Sequence, residues 1–331
     1  MSCINTRRAE VRLQMFPDIA SGADWKSAEP VNKGWSSDRK YRIQTYSGAE
    51  RLLRVSDIEQ YADKKKEFGI IQKYARLGFE MSAPLEFGTC GGGKNVYMLL
   101  SWVRGQDMET ALPGLPEKEQ YLLGRQAGGI LRKIHSVPLD PEDVPRQTKK
   151  EKKLLQLSRY EDSDLRIPGD ETALKFVKAN IDLIWHQPPV YMHGDYHPGN
   201  LIYTESGGVG VIDFNRWEVG DPYEEFYKLE SFGADVSVPY CIGQIDAYFS
   251  DRVPQDFWTA NAVYAAQASL FSIKWAERFG RAEIDGMVAR ANRAFDDFDG
   301  FTLSVPRWYT DKYRMAYAEQ GRADTGKAGS V

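Results

Sequence analysis

The chain has 331 residues, of which 42% are hydrophobic, 27% charged and 12% aromatic. This length allows two lobes or one large two-layer domain, and the composition excludes a disordered or fibrous protein. The net charge of −4 gives no general attraction to nucleic acid or anionic lipid. The first residues contain no apolar run of the length that a signal peptide needs, and no stretch reaches the ~18 consecutive apolar residues of a membrane span. We therefore expect a cytoplasmic protein.

The acidic excess is concentrated late in the chain. Residues 1–215 hold 30 basic and 29 acidic side chains, whereas residues 216–300 hold 8 basic and 15 acidic ones. The late segment could therefore offer carboxylates to a cationic molecule. The cysteines are three in number and far apart, so we expect free thiols rather than a disulfide framework.

The first hundred residues predict short strands around one helix. Apolar residues recur near helical spacing over 58–77, and Gly78 follows them, so we expect a helix there. Two hairpins are expected, with strands at 41–46 and 51–55 and at 84–87 and 96–100.

The remainder of the chain predicts mostly helices. A helix with one apolar face begins at Glu117 and ends before Pro138, and a helical pattern resumes after Pro222 and continues to about residue 300. The basic run at 146–153 is typical of a solvated helix face or linker. One short β insertion is expected at 190–192, 201–203 and 209–213.

The segment Gly88–Asn95 fits most of a phosphate-binding loop, G-x-x-x-x-G-K. Asn95, however, stands where Ser or Thr would hold magnesium, and an apolar strand follows instead of a helix. A glycine-rich hairpin turn is the better interpretation.

A stronger pattern is His193-Gly-Asp195-Tyr-His197-Pro-Gly-Asn200, with Asp213 thirteen residues later. Phosphoryl transfer requires a carboxylate at the acceptor hydroxyl and oxygen ligands that hold Mg²⁺ on the phosphates. The compact loop lets Asp195 and Asn200 point into one cleft, and the hairpin from 201 to 212 would return Asp213 beside them.

Two alternatives remain open for these residues. His193, Asp195 and His197 alternate as possible ligands of a hydrolytic metal site, although Pro198 and Gly199 would end a strand there. The aspartates could also be ordinary turn and cap residues.

The segments His193–Ile202, Val211–Phe214 and Gly220–Phe226 together resemble the aminoglycoside phosphotransferase and choline kinase group of small-molecule kinases. The resemblance extends to almost the whole chain. It implies an α+β, two-lobed, protein-kinase-like fold. An antiparallel sheet lobe with one main helix would span 1–103, and a mostly helical lobe would span 104–331, with a hinge near 100–105.

The resemblance also implies roles for individual residues. Asp195 would be the catalytic base, Asn200 and Asp213 the Mg²⁺ ligands, and ATP or GTP the phosphate donor. Further roles would fall to Ser36 and Ser37 over the phosphates, to Ser101 and Val103 at the base of the nucleotide, and to His193 and Asp221 as supports of the loop.

One departure from the family pattern concerns the cation at the α- and β-phosphates. Arg54 occupies the place of the usual lysine, where it could still bind phosphate and pair with Glu67. Lys40 is a less favoured phosphate contact because it precedes the earlier strand. Because of this departure, a pseudokinase that binds a nucleotide without transferring its phosphate remains an alternative interpretation.

The acceptor is expected to bind the carboxy-terminal helices. We predict a small, cationic hydroxyl compound, foremost an aminoglycoside antibiotic, which would make the protein a resistance enzyme; choline, a methylthio-sugar, homoserine or a macrolide are alternatives. The carboxylates expected to bind it are Glu225, Glu230, Asp235 and Glu277.

Overall fold

The computed structural model describes residues 16–32 and 37–315. Its internal contacts divide the chain into a first unit, Met1–Gly105 with Thr204–Arg216, and a second unit, Gln106–Tyr203 with Trp217–Val331. The predicted division differed in leaving 204–216 with the later part of the chain. The predicted α+β class, with an antiparallel sheet before a mostly helical remainder, is confirmed.

The first unit is built on a five-stranded antiparallel sheet in the order β1-β2-β3-β5-β4. Both predicted hairpins are present, and the glycine run at 91–93 forms the turn between β4 and β5 with three positive φ angles. The strands are β1 (Trp25–Val31), β2 (Arg39–Thr45), β3 (Glu50–Asp57), β4 (Pro84–Cys90) and β5 (Asn95–Ser101).

Strand β1 escaped the sequence analysis because it lies at the sheet edge. It carries Pro30, which an edge strand tolerates, and its charged residues hide the alternation of a strand. The predicted helix is α1 (Tyr61–Ala75), preceded by a 3₁₀ turn at Ile58–Gln60. Trp25, Ile43 and Leu53 are among the buried residues of this unit's core.

The second unit consists mainly of helices, as predicted. Helix α4 begins inside the basic run expected to be solvated, and its Lys153 is instead buried against Glu224. The helices are α2 (Met108–Ala111), α3 (Glu117–His135), α4 (Lys150–Glu161), α5 (Glu171–Asn180), α6 (Tyr227–Phe232), α7 (Val238–Tyr248), α8 (Gln255–Ala276) and α9 (Arg281–Asp297).

Short strands complete the described chain. Strand β7 (Val190–Met192) pairs antiparallel with β10 (Glu218–Gly220), and β6 (Gly105–Asp107), β8 (Leu201–Thr204) and β9 (Val209–Val211) are the others. Among the helices in the described part of the chain, none combines the length and apolar character needed to cross a membrane.

Helices α3 and α7 approach each other closely through glycine. A Cβ atom added to Gly128 would lie 2.1 Å from the carbonyl oxygen of Gln244, and one added to Gly124 would lie 2.1 Å from that of Tyr240. The neighbouring Gly129 has open space around its Cα. The two helix backbones can therefore come this close because Gly124 and Gly128 carry no side chain, and Gly243 of α7 allows a similar approach to the Tyr121 carbonyl oxygen.

We predict that Gly128→Ala destabilises the protein by about 1–3 kcal/mol or more, because the new methyl group forces the helices apart. Gly129→Ala is the matched control, and we expect it to leave stability unchanged or raise it by up to ~1 kcal/mol through helix propensity. Urea unfolding of both variants measures the difference. Equal stabilities for the two variants would contradict the close contact.

Candidate active site

The loop His193–Asn200, here the candidate catalytic loop, is anchored by Glu225. The Glu225 carboxylate accepts the backbone N–H groups of Gly194 at 3.2 Å and Tyr196 at 3.3 Å, and it lies 3.6 Å from His135 Nε2. Although burial disfavours its charge, His135 and these donors hold the pKa of Glu225 below its ordinary value. Glu225 thus binds the loop rather than presenting itself to an acceptor, which corrects its predicted role.

Asp221 acts on the candidate catalytic loop through Glu225. Its carboxylate accepts the backbone N–H of Tyr223 at 3.0 Å and so caps the 3₁₀ turn Pro222–Phe226, which carries Glu225. The same carboxylate accepts the Trp185 N–H and the Tyr264 hydroxyl. His193 contributes directly, because its Nδ1 accepts the Asp195 N–H at 3.2 Å.

Asp195 is held by a lysine that the sequence motif did not reveal. Lys228 Nζ lies 2.6 Å from Asp195 Oδ1, and His197 Nε2 lies 3.6 Å from the same oxygen. Burial raises the pKa of Asp195, but the charge of Lys228 outweighs it and the pKa lies well below the usual range. Burial also lowers the pKa of His197 to about 4, so His197 is neutral near pH 7.

Asn200 presents an oxygen donor beside Asp195. Its Nδ2 donates to the Asp195 backbone carbonyl at 2.9 Å, whereas its Oδ1 accepts no hydrogen bond from the part of the chain that the structure describes. Amide and carboxylate oxygens are ligands that Mg²⁺ accepts. The donor chemistry of Asn200 therefore fits the metal ligand predicted at this position.

In the first unit, Asp213 lies in a segment that is anchored on both sides. Val211 exchanges backbone hydrogen bonds with Glu80 and Ser82, and the Phe214 ring lies 5.5 Å from the Tyr74 ring of α1. Between them Asp213 adopts a φ of +62°, a conformation that costs free energy in a non-glycine residue. Its Oδ2 lies 3.3 Å from Lys40 Nζ, so this carboxylate, another oxygen donor suited to Mg²⁺, attracts cations.

Arg54 is buried in a cluster of charges on β3 and α1. Its Nε and Nη2 donate to Asp38 Oδ2 at 2.9 and 2.5 Å, and its Nη1 donates to Glu67 Oε1 at 2.5 Å. Lys64 Nζ bridges the same carboxylates at 2.8 and 3.2 Å. Burial lowers the pKa of Arg54, but the charges of Glu67 and Asp38 more than restore it and keep the guanidinium ionised.

The other residues predicted to contact the nucleotide lie before β2 and at the end of β5. Ser36 lies outside the described residues, and Ser37 is exposed. Ser101 Oγ accepts the Ala83 N–H and donates to the Met81 carbonyl, while Val103 is buried. These residues define the end of β5, and their role toward a nucleotide stays a prediction.

The remaining predicted acceptor carboxylates already have partners. Glu230 is buried, accepts the Trp308 Nε1–H at 2.8 Å and lies 3.7 Å from Arg293. Asp235 pairs with Arg293 at 3.1 Å and Glu277 with Lys274 at 2.6 Å, and both carboxylates are exposed. Glu230 is therefore enclosed within the chain, whereas Asp235 and Glu277 form ion pairs at the surface.

Burial raises the pKa of Glu230 to about 7, and the nearby charge of Asp297 adds to this effect. A carboxyl group whose pKa is higher in the folded than in the unfolded protein contributes stability that is fully present below its unfolded pKa, near 4.5. This contribution is lost as the pH rises through the folded pKa, about 7. We predict that the free energy of unfolding falls by about 1–3 kcal/mol between pH 5 and 8, and that Glu230→Gln flattens this dependence. Chemical unfolding at a series of pH values tests it; an equally steep variant would exclude Glu230 as the source.

Two lysines near the predicted acidic groups were not assigned a role from sequence. Lys228 is the only basic residue between Arg216 and Arg252, an isolation that could have drawn attention to it. Lys40 is the less favoured phosphate contact in the sequence pattern, whereas the structure places it opposite Arg54 in the strand register and 3.3 Å from Asp213.

Comparison with known proteins gives the class to which this fold and these residues belong. Residues 27–258 match the model of the Phosphotransferase enzyme family, and the chain belongs to that family. It is accordingly a small-molecule kinase.

The relatives include antibiotic phosphotransferases. The chain is 28% identical over 209 residues to the aminoglycoside 3'-phosphotransferase of Niallia circulans. The aligned region covers 59% of this chain and 74% of the relative. The GDP complex of a mutant aminoglycoside 2'-phosphotransferase-IIIa matches with a TM-score of 0.67 at 16% identity, over 87% of this chain and 96% of its own. The complex of the amicoumacin kinase hAmiN with AMP-PNP, Ca²⁺ and Ami matches with a TM-score of 0.61 at 12% identity, over 92% of this chain and 98% of its own.

Proposed function

We propose that the protein transfers the γ-phosphate of ATP or GTP to a hydroxyl group of a small cationic molecule, most favourably an aminoglycoside antibiotic. The observation that carries the transfer chemistry is an ionised Asp195 on a loop fixed by Glu225. The aminoglycoside assignment rests on the curated relative. The predicted carboxylates add no independent support, since Glu225 and Glu230 are buried against partners in the chain and Asp235 and Glu277 are paired at the surface. A cytoplasmic location, where nucleoside triphosphates are abundant, belongs to the same proposal.

Asp195 is suited to orient the acceptor hydroxyl. Its low pKa makes it a weak base, yet phosphoryl transfer through a loose transition state requires little proton removal before the bond to phosphorus forms. Its main contribution is then to hold the hydroxyl in line, and to accept the proton as the transfer proceeds. Lys228 keeps Asp195 ionised and fixes its Oδ1.

Asn200 and Asp213 are the residues that would hold Mg²⁺ on the triphosphate. When bound, Mg²⁺ neutralises the phosphate oxygens and orients the transferred group. The chain's own contribution is to fix the two ligands beforehand: Asn200 by its bond to the Asp195 carbonyl, and Asp213 by the constrained backbone after β9.

We predict that Asp195→Asn lowers turnover at least ~100-fold, because the amide cannot accept the hydroxyl proton. Nucleotide affinity should stay within about threefold, since the proposed nucleotide ligands remain. Steady-state kinetics and calorimetric titration with nucleotide measure the two effects. The exposed Asp164→Asn removes one carboxylate elsewhere and serves as the control; wild-type turnover in Asp195→Asn would remove Asp195 from this role.

Donor and acceptor can be identified in one screen. Purified protein is incubated with γ-labelled ATP or GTP together with one candidate acceptor at a time. The candidates are several aminoglycosides, amicoumacin, choline, a methylthio-sugar, homoserine and a macrolide. We expect label transfer to at least one aminoglycoside, and the Asp195→Asn variant provides the background. Transfer to another compound alone would replace the proposed acceptor, and transfer to none of them would contradict the cationic antibiotic assignment.

A further inference from the structure

The first unit offers two cations, Arg54 and Lys40, that could bind the phosphates of a nucleotide. Within the first unit, Arg54 and Lys40 are opposite each other in the β2–β3 ladder. Residues paired in this way project from the same face of a sheet. Both cations therefore project from the same face of the sheet. There Arg54 contacts Asp38 and Glu67, and Lys40 contacts Asp213.

Arg54 is buried, and each of its three guanidinium nitrogens already donates to a carboxylate. Its side chain is 2% exposed, and its Nε and both Nη atoms donate to Asp38 and Glu67. Lys64 and Ser56 bind the same Asp38 carboxylate. Withdrawing Arg54 toward a ligand would leave two buried carboxylates short of a partner, which costs several kcal/mol for an ion out of water.

Lys40 is held much more loosely. Among the residues that the structure describes, its ammonium group has one ion pair, the 3.3 Å contact with Asp213 Oδ2. An ammonium ion has three donors, so this contact leaves two of them for other oxygens. The side chain is 9% exposed, and Asp213 beside it is 24% exposed, so the pair borders solvent and can be reached by a ligand.

We propose that Lys40 is the cation that binds the triphosphate oxygens in this protein, and that Arg54 is a structural brace between Asp38 and Glu67. This assignment rests on the proposed nucleotide-dependent function. It replaces the sequence-based prediction in which Arg54 bound the phosphates and Lys40 was the less favoured candidate. The Lys40–Asp213 pair holds the ammonium group next to the predicted Mg²⁺ ligand, where the phosphates of a bound nucleotide are expected.

The test compares Lys40→Met, Arg54→Lys and the control Lys26→Met, which removes an exposed positive charge from β1 of the same sheet. Each variant is titrated with non-hydrolysable ATP and GTP analogues in the presence of Mg²⁺, and with adenosine and guanosine. Thermal unfolding of each variant is recorded alongside. Methionine keeps the length and apolar stem of lysine, so the comparison isolates the charge.

We expect Lys40→Met to weaken binding of the triphosphate about 10- to 100-fold, the effect of losing a charged hydrogen bond, and to leave nucleoside affinity and melting temperature unchanged. Arg54→Lys should lower the melting temperature without weakening triphosphate binding, because lysine cannot reach both carboxylates with one planar fork. Lys26→Met should change neither quantity. A general effect of net charge would instead weaken the control as well, which would overturn the assignment.

Two results would contradict the role of Lys40. If Lys40→Met binds the triphosphate as wild type does, or if Arg54→Lys loses affinity at an unchanged melting temperature, the assignment of Lys40 is wrong. Wild-type protein that binds neither analogue would overturn the proposed function together with it. Wild-type binding with an unaffected Lys40→Met variant overturns only the role of Lys40.

Discussion

Ionised side chains inside a protein require partners, because moving a charge out of water costs several kcal/mol. In this chain that requirement decides which charged groups remain for a substrate. Glu225 is bound to the loop amides, and Arg54 is bound to two carboxylates. Within the described part of the chain, Lys40 has a single ion pair and Asp195 is paired through one carboxylate oxygen, so both retain the capacity to bind a ligand.

The same requirement links the second unit's acidic composition to the position of its loop. Glu225 is buried in a turn capped by Asp221, and its carboxylate replaces water for the N–H groups of Gly194 and Tyr196. The loop that carries Asp195 is thus fixed by hydrogen bonds to the chain itself. A carboxylate that the composition suggested for a cationic acceptor instead provides the preorganisation that transfer chemistry needs.

Local sequence patterns were sufficient for most of the first unit and for the helical character of the second. The hairpins, helix α1 and the glycine turn at 91–93 follow from alternation, helical spacing and residues that permit positive φ. Strand β1 did not follow, because an edge strand with proline lacks the alternation of a buried one. The motif from His193 to Asn200 also located the loop, since its residues are adjacent in sequence.

Partners distant in sequence could not be predicted in this way. Lys228 reaches Asp195 across 33 residues of chain, and Lys40 reaches Asp213 across 173. A charged residue considered by itself gives no sign of whether it will be buried against an opposite charge or face solvent. For this reason the acidic segment suggested an acceptor site, whereas the structure shows Glu230 and Glu225 compensated by the chain's own donors.

In the proposed exchange between Lys40 and Arg54, the requirement for a cation at the phosphates is met from a different strand than the family pattern indicates. An antiparallel register places the two side chains on one face, so a cation for phosphate can be supplied from either strand. Arginine is the better brace because its planar fork spans two carboxylates, and lysine is the better mobile ligand because its ammonium group turns freely among oxygens. Under this division of labour, arginine at position 54 is compatible with catalysis, and the substitution that suggested a pseudokinase is accounted for by a lysine on the neighbouring strand.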